Sequence, residues 1–183
     1  MKILTGKFRG KPIKFKANPY LRPTADKARK AVFDMLQGGI EGKRVLDLFG
    51  GTGALGFEAL SNGAEFVTFV EKNKKQATAI EDNLENLGVR DKAGVLAEDA
   101  LAVLPRLYQK REIYDLIFID PPYDQGLGLE AMKLLARLPI WNSASLIFLE
   151  CRRNESAPDC GGELIKSKVY GDSKILVYSF SSN

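Results

Sequence analysis

The sequence contains no histidine in its 183 residues. That absence excludes histidine triads, histidine metal sites and the side chain that most often acts as a general base near neutral pH. Cysteine is almost as scarce. Cys151 and Cys160 are the only two, and their placement offers no metal-ligand spacing, so no metal is expected and a reducing compartment is the simpler assumption. No apolar run approaches the ~20 residues of a membrane span. Residues 1–7 lack the apolar stretch of a signal peptide. A cytoplasmic, monomeric protein is expected.

What is present suits a globular chain. Hydrophobic residues make up 45% and charged residues 27%, too apolar for a disordered chain and enough for one core. The net charge of +4 conceals an asymmetry: residues 1–30 hold ten Lys or Arg and only Asp26 as an acid, so they carry +9 and the remainder −5. A basic arm on a mildly acidic body fits a polyanionic partner, as it also fits a solvated lysine-rich surface.

The arm comes first. Two short alternations flank Lys7-Phe8-Arg9-Gly10-Lys11-Pro12 and read as a small hairpin over residues 1–23, with a main domain over 24–183. Thr24 is placed to cap a helix carrying Ala28, Ala31, Val32, Met35 and Leu36, which Gly38-Gly39 ends. From residue 44 onward, strands alternate with helices. Strands are expected at 44–48, 66–70, 94–96, 116–119 and 146–150. Helices are expected at 54–60, 74–87, 100–108 and 129–138, the third interrupted or bent by Pro105. Two β-rich runs, 163–170 and 174–180, joined by Gly171-Asp172, read as a closing hairpin. The pattern predicts an α/β fold: a mostly parallel seven-stranded sheet, helices on both faces, a C-terminal antiparallel hairpin and a small N-terminal β arm. In such sheets ligands bind at the carboxyl ends of strands.

After the first strand runs Asp47-Leu48-Phe49-Gly50-Gly51-Thr52-Gly53-Ala54-Leu55-Gly56. Gly51, Gly53 and Gly56 fit G-x-G-x-x-G, and Glu71 stands 20 positions after Gly51 at the end of the second strand. Glycines admit a ligand close to the backbone, and the acid can accept hydrogen bonds from ribose hydroxyls. That pattern serves a dinucleotide as well as adenosylmethionine. Asp47 favours the latter, because a carboxylate suits a cationic methionine end better than a pyrophosphate. Asp99, before Ala100 and after the third strand, can accept from an adenine amino group or cap the helix that follows.

The fourth strand leads into Asp120-Pro121-Pro122-Tyr123. Two prolines stiffen the backbone and remove two donors, leaving a turn rich in acceptors. The Asp120 carboxylate and the Pro121 carbonyl can both accept from one NH₂ group. Tyr123 offers a ring for a base, worth ~1–3 kcal/mol when stacked. Exocyclic amines of bases are poor nucleophiles, and two acceptors favour a more pyramidal, more nucleophilic nitrogen. A sulfonium methyl donor is already electrophilic, so positioning and electrostatics can carry the rate without histidine.

Asp47-x-Phe49-x-Gly51-x-Gly53 together with Asp120-Pro121-Pro122-Tyr123 resembles the Rossmann-like amino-methyltransferases of nucleic acids. Gly6-Lys7-Phe8-Arg9-Gly10, Leu21-Arg22-Pro23-Thr24-x-Asp26-x-x-Arg29 and Gly53-Ala54-Leu55-Gly56-x-Glu58-Ala59-Leu60 resemble, more narrowly, the RsmD family, bacterial 16S ribosomal RNA guanine-N2 methyltransferases. The resemblance implies a class I methyltransferase fold with S-adenosyl-L-methionine as cofactor. It implies a donor lying along Asp47, Phe49, Gly51 and Gly53, with Glu71 on its ribose, Asp99 and Ala100 near its adenine, and Arg22-Pro23-Thr24 closing over the methionine end. The target guanine, in ribosomal RNA or the assembled small subunit, would be held by Asp120 to Tyr123. Arg9, Lys11, Arg22 and Arg29 are the expected phosphate contacts. Gly50-Gly51-Thr52-Gly53 departs from the expected Ala-Gly-Ser-Gly only in small side chains. A DNA amino-methyltransferase and a non-catalytic RNA-binding protein of the same fold are the other readings.

Overall fold

The structure is a computed structural model that describes residues 1–15, 26–36, 38–123 and 125–181. Seven strands form one sheet in the order β3-β2-β1-β4-β5-β7-β6. Strands β1 (Arg44–Asp47), β2 (Phe66–Val70), β3 (Ala93–Leu96), β4 (Leu116–Ile119) and β5 (Leu146–Arg152) run parallel. Strands β6 (Glu163–Tyr170) and β7 (Ser173–Ser179) form the antiparallel hairpin, with β7 inserted against β5. The expected α/β architecture is the one observed.

Central strands buried on both faces need apolar residues throughout rather than alternation. β4, Leu116-Ile117-Phe118-Ile119, is buried along its whole length. Helices cover both faces. One core cluster joins Val45, Val67, Phe69 and Phe118 to α1 (Asp26–Leu36), α2 (Ala54–Ser61) and α3 (Lys74–Leu87). The other joins Leu46, Ile117, Ile119 and Leu149 to α4 (Ala100–Gln109) and α5 (Leu127–Arg137). Asn73 caps α3 by accepting from Lys75 N and Gln76 N, and Gly88, at φ 69°, ends it.

Two helices differ from expectation. α4 runs through Pro105 unbroken, because Pro105 is exposed and forgoes one hydrogen bond without forcing its ring into the core. α5 starts at Leu127, two residues early, on Gly126 at φ 66°. Gly128 lies inside it, where a Cβ would sit 3.0 Å from Leu149 Cδ1 and 3.4 Å from Pro121 Cγ. The glycine therefore marks a close approach of α5 to β5 and to the Asp120 turn, not a loop.

The arm is a hairpin turn held by the Lys2–Pro12 bridge. It is packed into the first core cluster through Ile3, at 3% exposure, and Ile13, at 2%. Residues 16–25, where the expected boundary between arm and domain falls, lie outside the described residues. Among the described residues no helix is long and apolar enough to cross a membrane.

Candidate active site at the strand-order switch

The strand order reverses between β1 and β4, which places a crevice at their carboxyl ends. Asp47 is in register with Phe118 across that pair, and Leu48 N donates to Phe118 O at 3.0 Å. The glycine turn that leaves β1 and the Asp120 turn that leaves β4 therefore open side by side.

Backbone hydrogen bonds and two carboxylates shape the glycine turn. Gly50 N donates to Val70 O at 2.7 Å and Gly53 N to Gly50 O at 2.6 Å. Gly51 and Gly53 lie at φ 54° and 77°, in the left-handed region. A Cβ on Gly53 would sit 2.6 Å from the Phe57 ring. Glu71 braces the turn: its Oε2 accepts from Gly51 N at 2.8 Å and its Oε1 from Asn73 N at 2.6 Å. It is only partly buried, so each oxygen keeps a lone pair for a further donor.

Asp47 serves differently from a direct ligand. Its side chain is buried, 1% exposed, and Oδ2 accepts from Gly56 N at 3.0 Å near the start of α2. Burial pushes its carboxyl up to about 7; the Gly56 N–H opposes this and the charge of Glu71 adds to it. Any influence on a cation in the crevice is through space. Phe49 is half-buried against the second core cluster. At the end of β3, Asp99 caps α4, its Oδ1 accepting from Leu101 N at 2.9 Å and Ala102 N at 3.2 Å. Asp99 is exposed and caps with one of its two oxygens, and the Ala100 that follows it is buried.

In the second turn, Asp120 and Pro121 are half-buried and Pro122 is exposed. Tyr123 is tied at its hydroxyl, which donates to Glu150 Oε1 at 3.0 Å and lies 2.9 Å from Ser173 Oγ. Ser173 Oγ also donates to Glu150 Oε1, at 2.7 Å. The Arg152 guanidinium stands 5.1 Å from the Tyr123 ring centroid. Burial pushes the Tyr123 phenol up to about 12, with the Ser173 hydrogen bond opposing and the Glu150 charge adding. The Glu150 carboxyl is raised in turn, chiefly by burial. Glu150, Ser173 and Arg152 were not among the residues expected from sequence. Strand register would have found the first: Ile119 pairs with Leu149, so Asp120 leaves β4 beside Glu150, which lies within β5.

The expected phosphate contacts divide. Arg9 and Lys11 are exposed, close to the turn where Arg9 N donates to Gly6 O and Lys11 N to Phe8 O. That turn packs against Ser61 at the far end of α2, about 12 Å from the glycine turn at the rise of an α-helix. Arg29 is corrected by the structure. It is 1% exposed, its Nη2 donating to Lys2 O and Asp26 Oδ1, each at 3.0 Å. Its Nε lies 3.2 Å from Glu58 Oε1, an ion pair whose N–H is not aligned on the oxygen. A buried guanidinium with these partners is a structural cation, not a surface contact for RNA. Arg22 and Thr24 lie outside the described residues.

Residues 1–179 match the family model described as Conserved hypothetical protein 95. The chain is 36% identical over 154 residues to ribosomal RNA small subunit methyltransferase D of Buchnera aphidicola, covering 84% of this chain and 79% of that protein. It is 31% identical over 180 residues to the protein of the same name from Escherichia coli K12, covering 97% and 89%. Among solved structures it is similar to yhhF from Escherichia coli, with TM-score 0.86, 31% identity and coverage of 100% of this chain and 99% of that one.

Proposed function

The chain belongs to the Conserved hypothetical protein 95 family, the RsmD family, and from that premise we propose that it methylates the exocyclic N2 amine of a guanine in small-subunit ribosomal RNA, with S-adenosyl-L-methionine as donor, in the cytoplasm. The observation that carries the reading is the juxtaposition at the β1–β4 switch of two turns: one built of glycines and carboxylates, the other carrying acceptors and an aromatic ring.

The cradle fits the cofactor. Gly51 and Gly53 hold left-handed backbone conformations that shape the turn, and the packing of Phe57, which a Cβ on Gly53 would strike, keeps Gly53 a glycine. Glu71 has lone pairs for ribose hydroxyls, Asp99 has one for an adenine amine, and Phe49 and Ala100 supply apolar surface. Thr24 belongs to the set through its place in the sequence motif. When bound, the cofactor supplies a methyl group on an electrophilic sulfonium. The carboxylates of Asp47 and Glu71 give the crevice a negative field that suits a cation.

The remaining work falls to the Asp120 turn. Asp120 and the Pro121 carbonyl accept the two hydrogens of the guanine amine and orient its lone pair. The prolines hold those acceptors stiff, so little reorganisation accompanies the reaction. Tyr123 stacks on the base. After methyl transfer the nitrogen carries one surplus proton, which leaves to Asp120 or to water, and no histidine is needed. Arg9, Lys11 and Arg22 would grip the RNA backbone, the first two some way from the reacting base.

The test is transfer of labelled methyl from adenosylmethionine to small subunits, or their RNA, lacking the modification. Duplex DNA serves as the competing substrate, and the modified nucleotide is mapped by mass spectrometry. Label appearing as N2-methylguanine in the RNA supports the reading, and label confined to DNA sinks it. Asp120→Ala should lower kcat by ~10²-fold or more while adenosylmethionine still binds.

A further inference from the structure

Stacking uses the ring of Tyr123 and leaves its hydroxyl idle, yet two further side chains hold that hydroxyl. Three oxygens form a closed triangle: Tyr123 Oη to Glu150 Oε1 at 3.0 Å, Tyr123 Oη to Ser173 Oγ at 2.9 Å, and Ser173 Oγ to Glu150 Oε1 at 2.7 Å. Tyrosine and serine bring one hydroxyl proton each, and the carboxylate oxygen can accept both. Glu150 is buried, 6% exposed, between Leu149 and Cys151 on β5, where an apolar side chain would pack without the cost of desolvating a carboxylate. The sheet does not need an acid there, but Tyr123 does.

The geometry points to Glu150 and Ser173 as positioning residues that fix the ring of Tyr123 for the incoming base. This rests on the reading of Tyr123 as the stacking platform for that base. The tyrosine is held at both ends. Pro121 and Pro122 restrict the backbone that leads to it, and the triangle fixes the hydroxyl, so the ring has little freedom to swing about its Cα–Cβ bond. The Arg152 guanidinium stacks at 5.1 Å from the ring and completes the support. A base that stacks on an immobilised ring does not have to order it first, which lowers the entropic cost of binding. The C-terminal hairpin thereby has a purpose. Ser173 opens β7 opposite Arg152, directly after the Gly171-Asp172 turn, so insertion of β7 beside β5 delivers the third member of the triangle.

The test is a double-mutant cycle on the full chain with small-subunit RNA as substrate. Glu150→Ala should lower kcat/KM for RNA about tenfold, the scale of one lost charge-assisted hydrogen bond, with the KM for adenosylmethionine unchanged. Glu150→Gln, which still accepts both hydroxyl protons, should recover most of the loss. In a Tyr123→Phe background, where there is no hydroxyl to hold, Glu150→Ala should cost less than about twofold more. Equal losses in both backgrounds, or a fall in Tm alone, would overturn the inference. Should Glu150→Ala fail to fold, Ser173→Ala carries the same cycle. The amplitude of Tyr123 ring motion by NMR relaxation on ¹³C-tyrosine protein, assigned with Tyr123→Phe, reads the tether independently of turnover. A larger amplitude in Glu150→Ala supports it, and an unchanged amplitude refutes it even in a protein inactive on RNA. A wild type inactive on RNA with a tethered ring refutes the base reading alone.

Discussion

Arg29 and Glu58 form an ion pair in which neither side chain has more than 2% exposure. Glu58 also accepts from Leu4 N at 2.6 Å, Thr5 N at 3.1 Å and Thr5 Oγ1 at 2.8 Å. One carboxylate thus holds the arm, and one guanidinium holds the carboxylate. Removing one partner of a buried pair strands the other charge, which costs about 3–5 kcal/mol. Glu58→Ala is expected to lower stability by that order in urea denaturation and to make residues 1–15 sensitive to protease. Unchanged stability would mean that the arm is an appendage rather than part of the fold.

Asp47 gives stability and ligand binding opposite responses to pH. Its folded value of about 7 lies above the ordinary 3.8, so the folded state keeps a proton that the unfolded chain releases. Stability is therefore lost as pH rises from about 4 to about 7 and is level above that. Asp47→Asn removes that contribution, and the gap between variant and wild type in urea midpoint should shift in the variant's favour from pH 5 to pH 8. A cationic ligand favours the ionised carboxyl. Adenosylmethionine should then bind more tightly as pH rises through 7, with the slope flattened in Asp47→Asn; calorimetry at pH 6, 7 and 8 checks it.

Gly56 is a packing glycine. A Cβ there would lie 2.1 Å from Cε1 of Phe69, which is itself fully buried. Gly56→Ala should cost about 1–3 kcal/mol through overpacking of α2 on β2. The penalty should shrink in a Phe69→Leu background, giving a coupling energy that chemical denaturation can measure.

Much of this fold could be read locally. The strands at 66–70, 116–119 and 163–170 and the helix at 74–87 fall where the hydrophobic period puts them, because each is bounded by local features, as Asn73 and Gly88 bound that helix. The start of α5 was misplaced for the opposite reason. Gly126 and Gly128 look like a loop until the approach of Leu149 and Pro121 is seen. The site divides the same way. Asp120 and the glycine turn announce themselves as contiguous motifs. Glu150 and Ser173 stand 27 and 50 positions from Tyr123, and only the register of β4, β5 and β7 brings them together. Arg29 could not be told from a surface cation, since its burial depends on Glu58, which reaches it only through the packing of α1 on α2.

Asp99 allows two duties of one side chain to be separated. Its Oδ1 caps α4 through Leu101 N and Ala102 N, and the adenine contact proposed above would fall to the other oxygen. Serine caps a helix nearly as well as aspartate but has one oxygen; alanine does neither. Asp99→Ala should therefore lose about 1 kcal/mol of stability and bind adenosylmethionine more weakly. Asp99→Ser should keep the stability and lose the affinity, by about tenfold, the scale of a hydrogen bond to a charged acceptor. Urea denaturation and calorimetry on the two variants decide the matter. If Asp99→Ser binds like the wild type, the residue is a cap and nothing more, and the adenine must find its polar partner elsewhere at the end of β3.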